Sequence, residues 1–265
     1  MPAIRSLLVL LAALLVVASC GIEADGSSEA TLVSPSREMP ATVDQSASMR
    51  PVVTTPPAGA PPRVDTPAQL DPQQLSIWPA SGVVFMTPEQ SANDFVSKVL
   101  GVDPVLGEYR RFDDGSGEIE VRSSADSEPG TSALRALLSL RQLGPSGGWH
   151  VMSATSDGVS ISVPLAGAEI LVGPLTVVGE GRGFESTLNV IAFVAGEPNT
   201  NLDLVIASGG AFEETEPYSA TVDLSEAAPG EVLVLLVRGD TGLSDDPGEF
   251  AAVPVVVVSR LPASR

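Results

Sequence analysis

The chain is poor in the side chains that form covalent or metal cross-links. Its 265 residues include one cysteine, Cys20, and one histidine, His150. Without a second cysteine no intramolecular disulfide can form, so the fold depends on its hydrophobic core, for which a 43% apolar composition is ordinary. The same scarcity excludes zinc sites built from histidine and cysteine, and it leaves only oxygen-ligand metals such as calcium. We expect no cofactor.

Positive charge is also scarce. One lysine, Lys98, and thirteen arginines are outnumbered by 33 acidic residues, and the formal net charge is −19. A surface this acidic repels the phosphates of nucleic acids and the headgroups of anionic lipids. We therefore expect no nucleic-acid partner and no direct electrostatic attraction of the folded part to a lipid surface.

The N-terminus has the order of charge, apolar core and small residues that is typical of a secretory signal peptide. Arg5 precedes an apolar run over residues 7–17, which is shorter than the roughly 20 apolar residues that a bilayer requires. The run ends in Val17-Ala18-Ser19-Cys20-Gly21, which resembles the lipobox of bacterial lipoproteins. The resemblance implies removal of residues 1–19, a diacylglycerol on Cys20, and anchoring at the extracytoplasmic face of the cell membrane. A plain secretory signal with an incidental cysteine is the alternative.

Residues 20–76 have the composition of a tether. Nine prolines between Pro35 and Pro72 interrupt a background of serine, threonine, alanine and valine, and no stretch keeps a helical or strand period. Such a composition buries too little apolar surface to offset the entropy of ordering, so the sequence predicts disorder. About 55 residues of this kind span on the order of 40 Å as a coil and about 170 Å as polyproline II. The tether would therefore lift a folded domain into the cell-wall layer.

Residues 77–157 predict a small α+β domain. Thr87 and Gln90 have the spacing of a helix N-cap with its partner, Pro88 occupies the first helical position, and Gly101 is suited to the C-terminal cap. The apolar positions in between share one helical face: Ala92, Phe95, Val96, Val99 and Leu100. This pattern predicts an amphipathic helix that ends near Gly101.

Strands follow the predicted helix. Residues 107–112 and 118–122 flank Asp113-Asp114-Gly115-Ser116-Gly117, a hairpin-turn signal. Residues 132–143 fit both a strand and a helix, because their leucines satisfy both periods, and we favour the strand. Residues 149–154 complete the predicted antiparallel sheet.

From residue 158 the pattern predicts an all-β sandwich that ends near residue 259, followed by a short tail over 260–265. No helical period remains, and short apolar runs alternate with Gly, Pro, Asn and Asp. The seven predicted strands are 159–163, 175–178, 187–194, 202–207, 218–224, 232–237 and 253–258. The last of these is apolar throughout, which suits a strand covered on both faces or one that ends in an assembly contact.

This half also carries a family resemblance. Its residues include Ile161-Ser162-Val163-Pro164, the run 173–181 (Gly-Pro-Leu-Thr-Val-Val-Gly-Glu-Gly), Phe184-Glu185, Thr187-Leu188-Asn189-Val190 and Val253-Pro254-Val255. Together they resemble the Gmad2-type immunoglobulin-like domain of bacterial spore-germination lipoproteins. The resemblance covers residues 158–259 and implies an immunoglobulin-like β-sandwich outside a membrane, without established catalytic residues.

Two glycine-rich motifs imitate catalytic or nucleotide-binding loops. Gly144-Pro145-Ser146-Gly147-Gly148 matches the G-x-S-x-G nucleophile elbow, but that elbow needs a following helix and the next residues predict a strand. Gly179-Glu180-Gly181-Arg182-Gly183 resembles a dinucleotide loop, which also requires a helix after it. We expect a hairpin turn at the first motif and a tight corner between strands at the second, with Phe184 buried and Glu185 bonding loop amides.

Two further features suggest ligand sites. Asp240, Asp245, Asp246 and Glu249 are a weak calcium candidate, with a solvated acidic loop as the alternative. Trp149 could be a platform on which a ligand stacks or a side chain of the hydrophobic core, and we favour the core. Because side chains alternate along a strand, His150 would then point to solvent.

These observations predict a lipid-anchored protein of the cell envelope that binds or scaffolds an envelope protein or a cell-wall glycan. We expect no enzymatic activity. One alternative is a cell-wall hydrolase that uses paired carboxylates. The other is an accessory or sensor subunit of a membrane complex.

Overall fold

The computed structural model of the chain describes residues 74–123 and 132–259. These residues are mostly antiparallel β-sheet with one short α-helix, an arrangement consistent with a β-sandwich. The predicted signal peptide, Cys20, the tether up to residue 73 and the tail 260–265 lie outside the described residues.

The described elements are one α-helix, a single 3-10 turn over Phe184–Ser186 and thirteen strands. Helix α1 spans Pro88–Phe95 and continues as a π-helical segment over Val96–Leu100. The strands are β1 (Val105–Leu106), β2 (Arg110–Asp113), β3 (Ser116–Ser123), β4 (Ala133–Leu143), β5 (Gly148–Thr155), β6 (Glu169–Leu171), β7 (Pro174–Gly183), β8 (Thr187–Val194), β9 (Glu197–Ser208), β10 (Gly210–Ala211), β11 (Glu216–Asp223), β12 (Val232–Gly239) and β13 (Phe250–Val258).

The helix begins and ends where the sequence predicts. The Thr87 side chain accepts a hydrogen bond from the backbone N–H of Gln90 at 3.3 Å, and Pro88 is the first helical residue. Gly101 ends the segment with a positive φ of 72°, a conformation that glycine adopts at little cost. The predicted apolar face is buried, with Phe95 and Val96 fully inaccessible to solvent.

Residues 132–143 form a strand. As β4, Ala133–Leu143 pairs with β3 on one side and with β5 on the other, so its backbone groups are satisfied by neighbouring strands rather than within a helix. Ala136, Leu138 and Leu140 point into the core, as period-two alternation requires. The helical alternative for this segment is wrong.

Among the described residues, one large sheet runs through both halves of the predicted folded region. Its strand order is β1-β3-β4-β5-β13-β12-β8-β9, with β2 added beside β3 and β6 beside β13. The two halves join where β5 pairs with β13, at Ala154 opposite Ala252. A second sheet, with the order β10-β7-β11, packs against the β8, β12 and β13 part of the large sheet.

Two apolar clusters cover opposite faces of the strands β8, β12 and β13. On one face, Phe193, Leu236 and Phe250 pack with α1 and with β3, β4 and β5. On the other face, Leu188, Leu235 and further side chains pack against β7 and β11. Within residues 253–258, Val255 and Val257 pack in the second cluster, whereas Val256 and Val258 belong to neither cluster and are only partly buried. Covering of this stretch on both faces therefore stays a prediction, as does the division at residue 157 into two domains.

Most of the predicted sandwich strands are present. Residues 187–194 form β8, and five other predicted strands overlap β7, β9, β11, β12 and β13. Residues 159–163 form only isolated bridges, at Val159 with Gly181 and at Val163 with Val178. Within the described ranges, no helix is long and apolar enough to cross a membrane.

Candidate ligand-binding cleft

The G-x-S-x-G motif is a hairpin turn. Residues 144–147 connect β4 to β5, and the residues that follow are a strand instead of the helix that a nucleophile elbow requires. His150 is half-buried, contrary to the expectation that it points to solvent, because Ser76 covers it with its hydroxyl 3.2 Å from Nδ1. Burial lowers the pKa of the His150 imidazole.

Trp149 is a core side chain, as predicted. It is 7% exposed and meets Tyr109 edge-on, with the ring centroids 5.4 Å apart. The indole therefore has no open face on which a ligand could stack.

The four carboxylates of the calcium candidate do not form a metal site. The Asp246 carboxylate accepts two hydrogen bonds from Arg135, and that of Glu249 accepts two from Arg182. Asp240 accepts a hydrogen bond from the Gly242 N–H, and Asp245 is exposed. In the part of the chain that the structure describes, no group of three or more metal-binding side chains could hold an ion.

The second glycine motif differs from its prediction. Residues 179–183 lie inside β7 rather than at a corner, and they pair with β11 over residues 179–181 and with β10 over 182–183. Glycine is needed there for close approach, because a Cβ on Gly179 would overlap the carbonyl oxygen of Ser160 and one on Gly181 would lie 2.7 Å from Leu188 Cδ1. Phe184, which was expected to be buried, is 45% exposed.

The exposed Phe184 lines a cleft of about 200 Å³ at one end of the sandwich. We call it the Phe184–Phe212 cleft, and its principal lining residues are Arg182, Phe184, Phe212, Asp240, Thr241 and Glu249. β10 places the second aromatic residue, because Ala211 pairs with Gly183 and Phe212 follows it directly. Phe212 is 77% exposed, the highest value among the large apolar residues described.

The backbone around this cleft is strained. Glu185, Ser186 and Phe212 have φ values of 53°, 62° and 58°, and no other described non-glycine residue has a positive φ. Each such residue costs on the order of 1–3 kcal/mol, and residues of this kind cluster where a protein binds or reacts. The strained positions follow or include the two exposed phenylalanines, which marks this cleft as the functional candidate.

Charged pairs fix the wall of the cleft. Arg182 donates from Nε and Nη2 to the Glu249 carboxylate at 2.6 and 2.9 Å and from Nη1 to the Glu213 carbonyl oxygen at 2.7 Å. The hydrogen bond to Glu249 raises the pKa of the Arg182 guanidinium. Phe184 is held by its own backbone, whose N–H donates to the Asp240 carbonyl oxygen at 2.5 Å.

The resulting wall has aromatic faces, two neutralised ion pairs and few uncommitted polar atoms. Arg135, which also lines the cleft, is paired with Asp246, just as Arg182 is paired with Glu249. Such a surface suits the binding of a ligand that has an apolar face.

Sequence reasoning missed Phe212 and the role of Arg182. The sequence did contain a signal for Phe212, because an aromatic residue stands there in an acidic segment that follows two glycines, residues 209–216. The pairing of Arg182 with Glu249 had no sequence signal, because 67 residues separate the two side chains.

A larger cleft, of about 440 Å³, lies between α1 and the turn from β8 to β9. Three of its polar side chains satisfy one another: Trp78 Nε1 donates to Asp94 at 3.1 Å, and Lys98 Nζ lies 3.0 Å from the same carboxylate. Trp78 is 3% exposed. This cleft therefore offers no open aromatic face, although the exposed Glu197 also lines it.

No protein-family model matches the sequence, and a search of curated proteins finds no similar chain.

Proposed function

We propose that the chain is a lipid-anchored protein of the bacterial cell envelope that binds or scaffolds an envelope component. In this proposal residues 1–19 are a lipoprotein signal peptide, Cys20 carries the lipid and the residues up to about 74 form the tether, because Leu75 is already buried and Ser76 contacts His150. A small α+β domain and a Gmad2-type immunoglobulin-like sandwich then extend beyond the membrane. The lipobox sequence at 17–21 supports the anchor, and two acyl chains suffice for stable attachment.

The observation that carries the binding role is the pair of exposed rings, Phe184 and Phe212, on a strained and rigidly held cleft wall. Exposed aromatic residues in a fixed geometry bind ligands at a small entropic cost, because the rings are ordered before the ligand arrives. The protein or cell-wall glycan expected from the sequence would meet the chain at this surface.

The anchor is tested with the full chain expressed in a bacterium supplied with an alkyne-bearing fatty acid. Wild-type chain is expected to incorporate the label and to sediment with membranes. The variant Cys20→Ser should incorporate none and leave the membrane fraction. Membrane association of Cys20→Ser equal to wild type would overturn the lipid anchor.

The binding role is tested with the detergent-solubilised full chain on two materials, purified cell wall and solubilised membrane proteins. We expect saturable binding to one of them. A stoichiometric protein partner with no affinity for the wall would identify the chain as a scaffold or accessory subunit. Absence of binding to both materials would contradict the proposed role, and release of reducing sugar from the wall would indicate a hydrolase instead.

A further inference from the structure

We infer that the Phe184–Phe212 cleft binds a single uncharged sugar ring of an envelope glycan, an inference that rests on the binding role proposed above. A pyranose has an apolar C–H face and an edge of hydroxyl groups. The cleft offers matching features: aromatic faces from Phe184 and Phe212, and polar groups from Asp240 and Thr241 beside them.

The two rings are available for stacking. Phe184 and Phe212 are 45% and 77% exposed, and both line the same cleft. The other strongly exposed phenylalanine, Phe112, lies on the β2–β3 hairpin, where the Arg110 guanidinium is 5.8 Å from its ring centroid. Phe184 is supported from behind, because a Cβ on Gly242 would lie 3.2 Å from its Cδ1.

The charges of the wall disfavour an anionic ligand. The guanidinium groups of Arg182 and Arg135 are each bound at two points by a carboxylate, so an anionic ligand would have to displace Glu249 or Asp246. The exposed Asp240 carboxylate adds a further negative charge that repels an anion. A sugar hydroxyl can instead donate to the exposed Asp240 carboxylate or exchange hydrogen bonds with the Thr241 hydroxyl without breaking either ion pair.

The size of the cleft favours a single sugar ring as the ligand and disfavours a protein partner. At about 200 Å³ it is smaller than the roughly 300–1,000 Å³ pockets that enclose drug-sized ligands. A specific protein interface covers about 800 Å² on each partner and has an apolar centre. Here the two rings are bordered by Arg182, Asp240 and Glu249, so the apolar area ends within the cleft itself.

The inference is tested by fluorine NMR on the full chain carrying fluorophenylalanine at its seven phenylalanine positions. The probes are neutral oligomers of N-acetylglucosamine, the uncharged sugar of the peptidoglycan strand, and the peptidoglycan stem peptide alone. Glycan is expected to shift the signals of residues 184 and 212 saturably and to leave that of residue 112 in place. The variants Phe184→Leu and Phe212→Ala assign the two signals by removing them.

The same variants test the contribution of each ring. Phe212→Ala is expected to weaken glycan binding about tenfold, the change that loss of one aromatic contact of roughly 1.4 kcal/mol produces. The matched control Phe112→Ala also removes an exposed ring and should leave binding unchanged. An unfolding temperature of Phe212→Ala equal to wild type shows that the loss is not a folding defect.

Three results would overturn the inference. In the first, the fluorine signals of residues 184 and 212 shift with stem peptide and not with glycan. In the second, Phe212→Ala binds glycan with unchanged affinity. In the third, Phe212→Ala loses binding to a protein partner and keeps binding to glycan. Wall binding that survives Phe212→Ala would leave the proposed binding role intact and place it elsewhere on the chain. Absence of binding to both wall and membrane proteins would instead contradict the role itself.

Discussion

Arg135 in β4 and Asp246 in the loop between β12 and β13 form a two-point ion pair across 111 residues of sequence. Nε and Nη2 of Arg135 lie 2.9 and 2.5 Å from Oδ1 and Oδ2 of Asp246, which is inaccessible to solvent. Asp246 also accepts from the Gly248 N–H at 2.9 Å, and its carbonyl oxygen accepts from Arg238 at 2.7 Å. The loop that carries Asp240 and Thr241 is thereby fixed to the first half of the fold.

Asp246→Asn is expected to lower the free energy of unfolding by roughly 3–5 kcal/mol, because it removes a buried negative charge and turns one of the two oxygens that accept from Arg135 into a donor. Urea denaturation measures the loss. The matched control is Asp245→Asn, which removes the same charge from an exposed position and should change stability by less than about 0.5 kcal/mol. Equal losses in the two variants would show that the ion pair has no special role.

The Thr87 cap makes a smaller contribution that can be measured separately. Thr87→Ala removes the acceptor of the Gln90 N–H and is expected to cost about 1 kcal/mol, which lowers the unfolding temperature by about 2–4 °C. Thr87→Ser keeps the acceptor and should retain most of the stability. A full loss in Thr87→Ser would indicate that the threonine methyl group matters and not the hydrogen bond.

Alkaline pH should destabilise the fold through Tyr218. Its hydroxyl donates to the Ser160 carbonyl oxygen at 2.8 Å, and burial raises the pKa of its phenol above the usual value of about 10. Above pH 10 the unfolded chain releases this proton and the folded chain keeps it, so stability falls as pH rises, by up to about 1.4 kcal/mol per pH unit.

The alkaline effect is measured by urea denaturation between pH 9 and pH 11.5. Tyr218→Phe lacks the ionising group and is expected to show a shallower loss of stability over this range. Absorbance at 295 nm provides a second readout, because burial also raises the pKa of Tyr109, the other tyrosine of the chain. A folded chain in which both tyrosines ionise near pH 10 would contradict the prediction.

Calcium is expected to leave the fold unchanged. Asp246 and Glu249 are already bound by arginines, so an ion would have to displace Arg135 or Arg182. Unfolding temperatures in 5 mM calcium chloride and in EDTA should therefore agree. A ligand present at a hundred times its dissociation constant would add about 2.7 kcal/mol, so a rise with calcium would reveal a site of useful affinity.

Local signals in the sequence were sufficient for several individual elements. The Thr87 cap, the helical face ending at Leu100 and the alternation in residues 187–194 depend on neighbours within one turn or one strand. The structure contains each of them. The pairing of β5 with β13 brings together Ala154 and Ala252, for which no local pattern exists, and it is this contact that continues the sheet from one half into the other.

The candidate cleft was harder to predict for a similar reason. The glycines of residues 179–183 suggested a corner because glycine favours turns, but in β7 they accommodate Ser160 and Leu188 from other segments. The exposure of Phe184 depends on which loops approach it, and aromatic character alone predicts burial. Strained φ values and the Arg182–Glu249 pair become visible only when the strands are assembled.

The double covering of β12 and β13 has a consequence for expressing parts of the chain. A fragment that ends at residue 157 would expose to water the apolar surface on which Phe193, Leu236 and Phe250 now pack. A fragment that begins at residue 158 would expose those three side chains themselves. Each half therefore buries an apolar surface of the other. We expect the two pieces to be recovered in soluble form only when they are produced together.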